Sequence, residues 1–198
     1  MSAARENPQA DLHPIFEQRW SPRAFDADKS INHDDLQRCL EAARWAPSCF
    51  GEEPWRFIVC NKASHPDAWQ SLLQCLAPKN QEWARNAPVL MLATAAQNFS
   101  HNGNANRWAA YDAGQAAISL CLQASELGFI THQMGGFDID AVTSAFNIPD
   151  DVTPIAAIAL GYQGDAQTLD EGFQAAELAK RSRQPLESRF FHGTWDNA

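Results

Sequence analysis

The 198-residue sequence predicts an α+β fold, with residues 1–198 forming one domain. Short apolar runs that are typical of strands alternate with amphipathic helical segments, and helical segments come before the first strand. No Gly-x-Gly-x-x-Gly sequence follows that strand, and there is no Walker-type lysine loop. The sequence therefore supports neither a dinucleotide-binding Rossmann unit nor a nucleoside triphosphatase.

The first half of the chain is expected to begin with a flexible N-terminus, residues 1–12, and a short helix at 13–19. Asn32 is a suitable N-cap for a second helix, which ends before Pro47 because proline has no amide hydrogen to donate. Then follow a loop at 47–55, a strand at 56–60, a helix at 65–76 and a buried strand at 87–95. Residues 79–81 are expected to break the helical pattern.

The second half begins with a polar segment, 97–106, which is interpreted as a mobile surface loop. The longest helix, 107–127, should end at Gly128 in a left-handed conformation. This helix is apolar on more than one face, which predicts deep burial or a subunit interface. The remaining elements are a strand at 129–134, a helix at 138–147, a strand at 154–162 and an acidic loop with at least one helical turn at 164–179. The tail at 186–198 is expected to pack on the domain or on a partner subunit.

Composition restricts the possible partners. The net charge of −9 and the pI of about 5.0 argue against nucleic acid or an anionic membrane as the main partner. No apolar run is long enough to span a bilayer, and the N-terminus lacks the apolar core of a signal peptide, so a cytoplasmic protein is expected. The five cysteines are scattered without a C-x-x-C pair and the six histidines lack ligand spacing, which predicts reduced thiols and no metal site.

A basic strip, residues 19–25, is the first candidate site. In an extended chain Arg19, Ser21 and Arg23 would point the same way, and Pro22 favours that geometry by restricting Ser21. Two guanidiniums and a hydroxyl on one face suit a phosphate, although a solvated basic turn is the alternative.

A second basic cluster lies near the other end of the chain. No Lys or Arg occurs between Trp108 and Ala179, and then Arg181 and Arg183 follow with Lys180. In an acidic chain this spacing suggests that the two clusters meet around one anion, whereas a solvated basic tail is the alternative.

Side-chain catalysis has little support. There is no Gly-x-Ser-x-Gly elbow, and no sequence feature identifies a base for Cys49, so an inert thiol is favoured. Glu52 and Glu53 are adjacent and need not face each other, which makes loop or hydrogen-bonding roles more plausible than an acid–base pair.

Several segments together resemble one family, the nitroreductase-like flavoproteins that bind FMN, over about residues 13–185. The matching segments are 19–25, Ala46-Pro47-Ser48 with Pro54-Trp55-Arg56-Phe57, Leu127-Gly128, Gly135-Gly136-Phe137-Asp138, Ile148-Pro149-Asp150, Ala159-Leu160-Gly161-Tyr162 and Arg181-Ser182-Arg183-Gln184-Pro185. This resemblance implies a mixed, largely antiparallel sheet flanked by helices. It also implies a homodimer with a long buried interface helix and FMN sites at the subunit interface.

The resemblance also implies roles for single residues. Arg19 and Ser21 would hold the phosphate and ribityl chain of FMN with Arg181 and Arg183, and Arg23 would approach the N1/O2 edge of the flavin.

Asn80 would bind the pyrimidine edge, and Gly135 and Gly136 would place backbone N–H groups near N5. The residues expected to reach the FMN of the other subunit are Pro47, Ser48, Cys49 and Gly51. Trp20 would stack near the flavin or simply pack.

The implied function is an FMN-dependent oxidoreductase that uses NADH or NADPH. It would reduce nitroaromatics, quinones or a related electron-poor molecule by ping-pong hydride transfer, with flavin N5 as the redox centre and no catalytic side chain. Alternatives are narrower reductive chemistry, on an activated alkene or in dehalogenation, and a flavin-binding protein without robust turnover. Two departures bear on flavin potential and substrate preference: Gly51 and Glu53 stand where the family usually has Asn and Gln, and a cation such as Arg56 could pair with Glu53.

Overall fold

The computed structural model describes residues 9–195, so residues 1–8 of the predicted N-terminus and 196–198 of the predicted tail lie outside the described part. The helices are α1 (Pro14–Gln18), α2 (His33–Arg44), α3 (Pro66–Cys75), α4 (Pro78–Ala84), α5 (Ala109–Glu126), α6 (Ile139–Phe146) and α7 (Glu171–Leu178). The strands are β1 (Trp55–Asn61), β2 (Val89–Ala96), β3 (Ile130–Met134) and β4 (Val152–Gly161). Short 3₁₀ turns occupy Cys49–Gly51, Ala166–Thr168 and Leu186–Ser188.

The four strands form one sheet in the order β1-β2-β4-β3, and all three pairings are antiparallel. β2 and β4 are the inner strands, while β1 and β3 are the two edges. The predicted α+β class and the predicted apolar strand around residues 87–95 are thereby confirmed, because β2 is buried almost throughout its length.

The two faces of β2 belong to two separate clusters of apolar side chains, as the alternation of side chains along a strand requires. Leu90 and Leu92 pack with α3 and α4 on one face, against Leu72 and Trp83. The opposite face packs against α2 and α5. Its members include Val89, Met91, Ile158, Leu160, Cys39 and Leu120.

Helix α5 ends as predicted, because Gly128 has φ +80° and follows the last helical turn. Most of its alanines are buried under the sheet. One stripe remains exposed in the single chain, and it includes Tyr111, Gly114 and Ile118. The helix therefore covers the core on one side and leaves an apolar stripe on the other.

Two segments differ from the expectation drawn from the sequence. Residues 79–81 do not break a helix but lie inside α4, which begins at Pro78, a position where the missing amide hydrogen costs nothing. The acidic segment 164–179 contains all of α7, whose first turn is capped by the side chain of Asp170. Among the described residues, no helix is long and apolar enough to cross a bilayer.

Candidate functional site

The basic strip runs beside edge strand β3 and the end of β4. Phe25 forms an isolated bridge with Gln163, directly after β4. Pro22 and Ala24 are buried, Ser21 is exposed and Arg23 is half-buried. This alternation agrees with the predicted extended conformation, in which the arginines and the serine share the outer side.

Glu177, in the last turn of α7, holds the backbone of the strip. Its carboxylate accepts the amide hydrogens of Arg23 and Ala24, at 2.8 Å and 3.1 Å, and the side-chain amide of Gln163 at 3.2 Å. The residue is only 4% exposed. Glu177 was not predicted as a site residue, because it falls in a segment that was expected to be an acidic loop with at least one helical turn. The capping residue Asp170 was the available signal for a helix.

Arg181 joins the second basic cluster to the first. Its guanidinium donates to the carbonyl of Arg19 at 2.9 Å and to the carbonyl of Glu17. The two ends of the chain therefore meet, and Arg181 supports the backbone of the strip. Arg183 is exposed and donates to the carbonyl of its neighbour Ser182 at 2.8 Å.

His132 of β3 ties the strip to α4. Its Nδ1 lies 3.0 Å from the carbonyl oxygen of Pro22, and since a carbonyl only accepts, Nδ1 carries the hydrogen. Its ring centroid is 4.5 Å from that of Trp83, which in turn stacks on Phe25. Burial lowers the pKa of His132; the bond to Pro22 opposes this shift and the charge of Arg23 adds to it. The imidazole is therefore held neutral.

Asn80 and the dipeptide Gly135–Gly136 come together at the end of β3. The carbonyl of Gly136 accepts from Asn80 Nδ2 at 3.0 Å and from the amide of Ala77 at 2.9 Å. A Cβ on Gly136 would lie 2.8 Å from Asn80 Nδ2, so a larger residue would push that side chain away. Within residues 9–195, the amides of Gly135 and Gly136 donate no hydrogen bond, which leaves two fixed donors for a ligand.

Phe173 of α7 links these two groups of residues. The guanidinium carbon of Arg23 lies 5.5 Å from the centroid of its ring, and the ammonium of Lys79 lies 5.8 Å from it. Because Lys79 precedes Asn80 in α4, the basic strip and the glycine dipeptide lie on one side of the molecule.

The loop at residues 47–53 lies at the opposite edge of the sheet, before β1. The amide of Cys49 donates to the buried carboxylate of Asp112 at 3.0 Å, and that of Glu53 donates to Ser48 Oγ at 3.0 Å. β1 and β3 are separated by three inter-strand spacings, or about 14 Å. Within one chain, Pro47, Ser48, Cys49 and Gly51 are therefore not brought to the basic strip.

The loop at 97–106 is attached to this second loop. Both carboxylate oxygens of Glu52 accept from Ser100, at 2.8 Å from its amide and 3.2 Å from its hydroxyl. These bonds lower the pKa of Glu52, the amide contributing most. Phe50, which is 84% exposed, makes edge contacts with Phe99 and His101. Nothing in the structure tests the predicted mobility of this segment.

The model of the Nitroreductase family matches residues 16–162 of the chain. The chain belongs to the nitroreductase family. A solved structure described as an oxidoreductase containing FMN is 34% identical, with a TM-score of 0.90 and 96% of both chains covered. An uncharacterized 15.4 kDa protein of Mycolicibacterium smegmatis is 35% identical, over 72% of this chain and 98% of its own. A Staphylococcus haemolyticus protein named "Putative NAD(P)H nitroreductase" is 26% identical, over 85% of this chain and 95% of its own.

Backbone geometry explains one departure of this chain from the family pattern. Gly51 has φ +67°, a left-handed conformation that glycine and asparagine both adopt readily. The exchange of Asn for Gly therefore preserves the path of the loop. Glu53 has φ +49°, and its backbone carbonyl, with that of Trp55, accepts from the Arg56 guanidinium. Arg56 thus contacts the backbone of Glu53.

Trp20 lies away from the glycine dipeptide. It lines a cleft of about 290 Å³ at the beginning of β3, whereas Gly135–Gly136 follow the end of that strand. The other lining residues are Gln18, Ser125, Gly128, Phe129, Ile130 and Gln163. This position favours a packing role for Trp20. The described residues contain no group of His, Cys, Asp and Glu that could hold a metal ion.

We predict that His132→Asn removes a pH dependence from the stability of this protein. The pKa of folded His132 lies below the unfolded value of 6.5, so its contribution is complete above that pH and is lost as the pH falls through the folded pKa. Asparagine keeps an N–H donor near Nδ1 but does not titrate.

Urea unfolding at about pH 7.5, 6.5 and 5.5 tests this, with exposed His33→Asn as the control. The unfolding free energy of the wild type should fall relative to that of His132→Asn below about pH 6.5, where only the unfolded wild type takes up a proton. Parallel profiles for the wild type and His132→Asn would contradict the prediction.

Proposed function

We propose that this chain is an FMN-dependent oxidoreductase that uses NADH or NADPH to reduce nitroaromatics, quinones or a related electron-poor small molecule. Family membership and the 34% identical FMN-containing oxidoreductase support the cofactor. The name of the Staphylococcus haemolyticus relative supports the donor. The observation that carries the proposal is the pair of fixed, unpartnered amides at Gly135–Gly136 on the same side as the basic strip.

The residues present fit FMN. Its phosphate requires a charged donor, which Arg19 supplies without losing its charge at any working pH. Its isoalloxazine ring carries hydrogen-bond acceptors and one donor along its polar edges, and Asn80 offers both an amide nitrogen and a carbonyl oxygen. A Cβ on Gly135 would meet no atom within 4 Å, so the space beside its α-carbon is open to an approaching planar ring.

Each group has a distinct part in this proposal. Arg19 and Ser21 hold the phosphate and ribityl chain, with Arg183 near them and Arg181 fixing the backbone from which they extend. Arg23 sets a permanent positive charge against the side of the flavin where negative charge develops on reduction. The same arrangement with an uncharged residue at 23 would bind reduced flavin less tightly.

Bound FMN would supply the hydride acceptor for the nicotinamide donor and the source of electrons for the second substrate, which predicts ping-pong kinetics. The amides of Gly135 and Gly136 would orient the acceptor atom, because this dipeptide is held between the end of β3 and the Gly136 carbonyl, which accepts from Asn80 and Ala77. His132 stays neutral and therefore adds no second positive charge behind Arg23. No side chain has to move a proton to prepare the protein for hydride transfer.

We further propose that two copies of the chain build the site together. β1, which follows the loop at 47–53, lies about 14 Å from edge strand β3, so within one chain the loop and Gly135 are at opposite edges of the sheet. The exposed stripe of α5 carries Tyr111 and Ile118, which are 68% and 39% exposed. An apolar stripe on a long helix suits contact with a second copy.

The first test is spectroscopic. Purified protein should be yellow or bind added FMN, and NADH or NADPH should bleach the flavin absorbance without oxygen. Adding a nitroaromatic or a quinone should restore the colour faster than dissolved oxygen does. Protein that binds no FMN would refute the proposed function. If the bound flavin is not reduced by NADH or NADPH, only the flavin-binding part of the proposal would remain.

We predict that Arg19→Ala and Arg181→Ala each weaken FMN binding by roughly 10- to 150-fold, the range for loss of one charge-assisted hydrogen bond. Arg19→Ala removes a direct contact with the ligand, and Arg181→Ala removes the hydrogen bond that supports the Arg19 backbone. Fluorescence titration of FMN-free protein measures the affinity. The control is Arg38→Ala, whose guanidinium pairs with Asp35 on the surface of α2. Unchanged affinity in both variants would place the phosphate elsewhere.

We predict that the protein sediments as a dimer and that Ile118→Glu shifts it toward the monomer. A charge in the middle of the apolar stripe of α5 would have to be desolvated on association. Ile139→Glu is the matched control, because Ile139 is also exposed but lies at the start of α6, where a carboxylate is favoured. A wild-type monomer that retains flavin would exclude the shared site.

A further inference from the structure

α7 presents two side chains to one residue of the basic strip. Phe173 and Glu177 are four residues apart and lie on one face of this helix. The Glu177 carboxylate accepts the backbone amides of Arg23 and Ala24, while the Phe173 ring lies under the Arg23 guanidinium. We propose that Glu177 is a positioning residue which, with Phe173, sets the direction of the Arg23 side chain for flavin binding; this inference rests on the proposed function.

The contacts at Glu177 fix the backbone conformation of Arg23. Its two oxygens hold the peptide groups on both sides of the Arg23 α-carbon, at 2.8 Å and 3.1 Å. With both flanking peptide planes fixed, φ and ψ of Arg23 are fixed as well. The direction in which the Arg23 side chain leaves the strip is therefore determined by α7.

Gln163 completes the arrangement around Ala24. Its side-chain amide donates to Glu177 Oε1 at 3.2 Å and to the carbonyl of Ala24 at 3.1 Å. The same carbonyl accepts the amide of Gly164 at 2.7 Å. The segment after β4 and the last turn of α7 thus hold the strip from two sides.

The chemistry of this position requires an acceptor with two oxygens. Three N–H donors converge on the carboxylate, which has no hydrogen to donate when ionised. A glutamine of the same shape has one oxygen and one NH₂ group, so an N–H donor would face another donor. Burial at 4% exposure leaves little room for water to relieve that conflict.

In this proposal Glu177 affects FMN binding through Arg23. This dependence distinguishes a positioning role from general stabilisation of the fold. If Glu177 affects FMN only through Arg23, then Glu177→Gln loses its effect once the Arg23 guanidinium is absent. If it only stabilises the fold, its effect on FMN affinity is the same with and without that guanidinium. A double-mutant cycle distinguishes these cases.

The experiment compares FMN affinity in the wild type, Glu177→Gln, Arg23→Ala and the double variant. We expect Glu177→Gln to weaken binding at least tenfold in the wild-type background and less than threefold in the Arg23→Ala background. Glu171→Gln, the same change at an exposed position of α7, is the matched control and should alter affinity less than twofold. Equal factors in both backgrounds would overturn the proposal.

A second measurement does not depend on flavin. Hydrogen–deuterium exchange of the FMN-free protein should be faster in Glu177→Gln at peptides covering residues 20–26, and unchanged in β2. If Glu177→Gln does not fold, Gln163→Met, which removes one donor and the tie to Ala24, should show the same local change to a smaller extent. Unchanged exchange in the strip would refute the positioning role. A wild type that binds no FMN would refute the proposed function instead, and the exchange data would still decide the role of Glu177.

Discussion

The buried carboxylate of Glu177 joins the last helix of the chain to its first extended segment. The bond to the Arg23 amide spans 154 residues of sequence, so the conformation of the basic strip depends on the far end of the chain. Arg181 makes a second contact of the same kind, to the carbonyl of Arg19. Pro22, Ala24 and Phe25 pack the basic strip into the core, and these long-range bonds hold its backbone in addition. The surface that is proposed to bind the FMN phosphate therefore depends on contacts between the two ends of the chain.

A continuous series of contacts leads from the strip to the glycine dipeptide. Pro22 contacts His132, His132 packs on Trp83, and Trp83 lies in the same short helix as Asn80. Asn80 then holds the carbonyl of Gly136. Each link is a packed ring or a direct hydrogen bond, so the spacing between charged and amide donors is rigid. The lowered pKa of His132 belongs to this arrangement, because a protonated ring would place a charge in the core behind Arg23.

The parts of this fold that follow from local chemistry were predictable from the sequence. The buried β2, the left-handed Gly128 and the capped α6 each depend on a pattern within a few residues. The meeting of the two basic clusters was predictable only as one of two alternatives, the other being a solvated basic tail. The spacing of charges along the sequence does not say which groups the clusters contact. Glu177 was missed because a buried carboxylate looks like any other acid in an acidic segment. Its partners are backbone amides far away in sequence, and no side-chain pattern marks them.

The position of the loop at 47–53 could not be predicted from its composition, because strained backbone and long-range hydrogen bonds determine it. Phe50, Gly51 and Glu53 all have positive φ, and two of them are residues for which that conformation costs on the order of 1 kcal/mol. The bonds from Cys49 to Asp112 and from Glu53 to Ser48 compensate this cost. Glu52 adds a third constraint from Ser100. The strained loop lies at the edge of the sheet opposite the basic strip. This position does not suit a role in the site of the same chain, but it suits a contribution to the proposed site of a second copy.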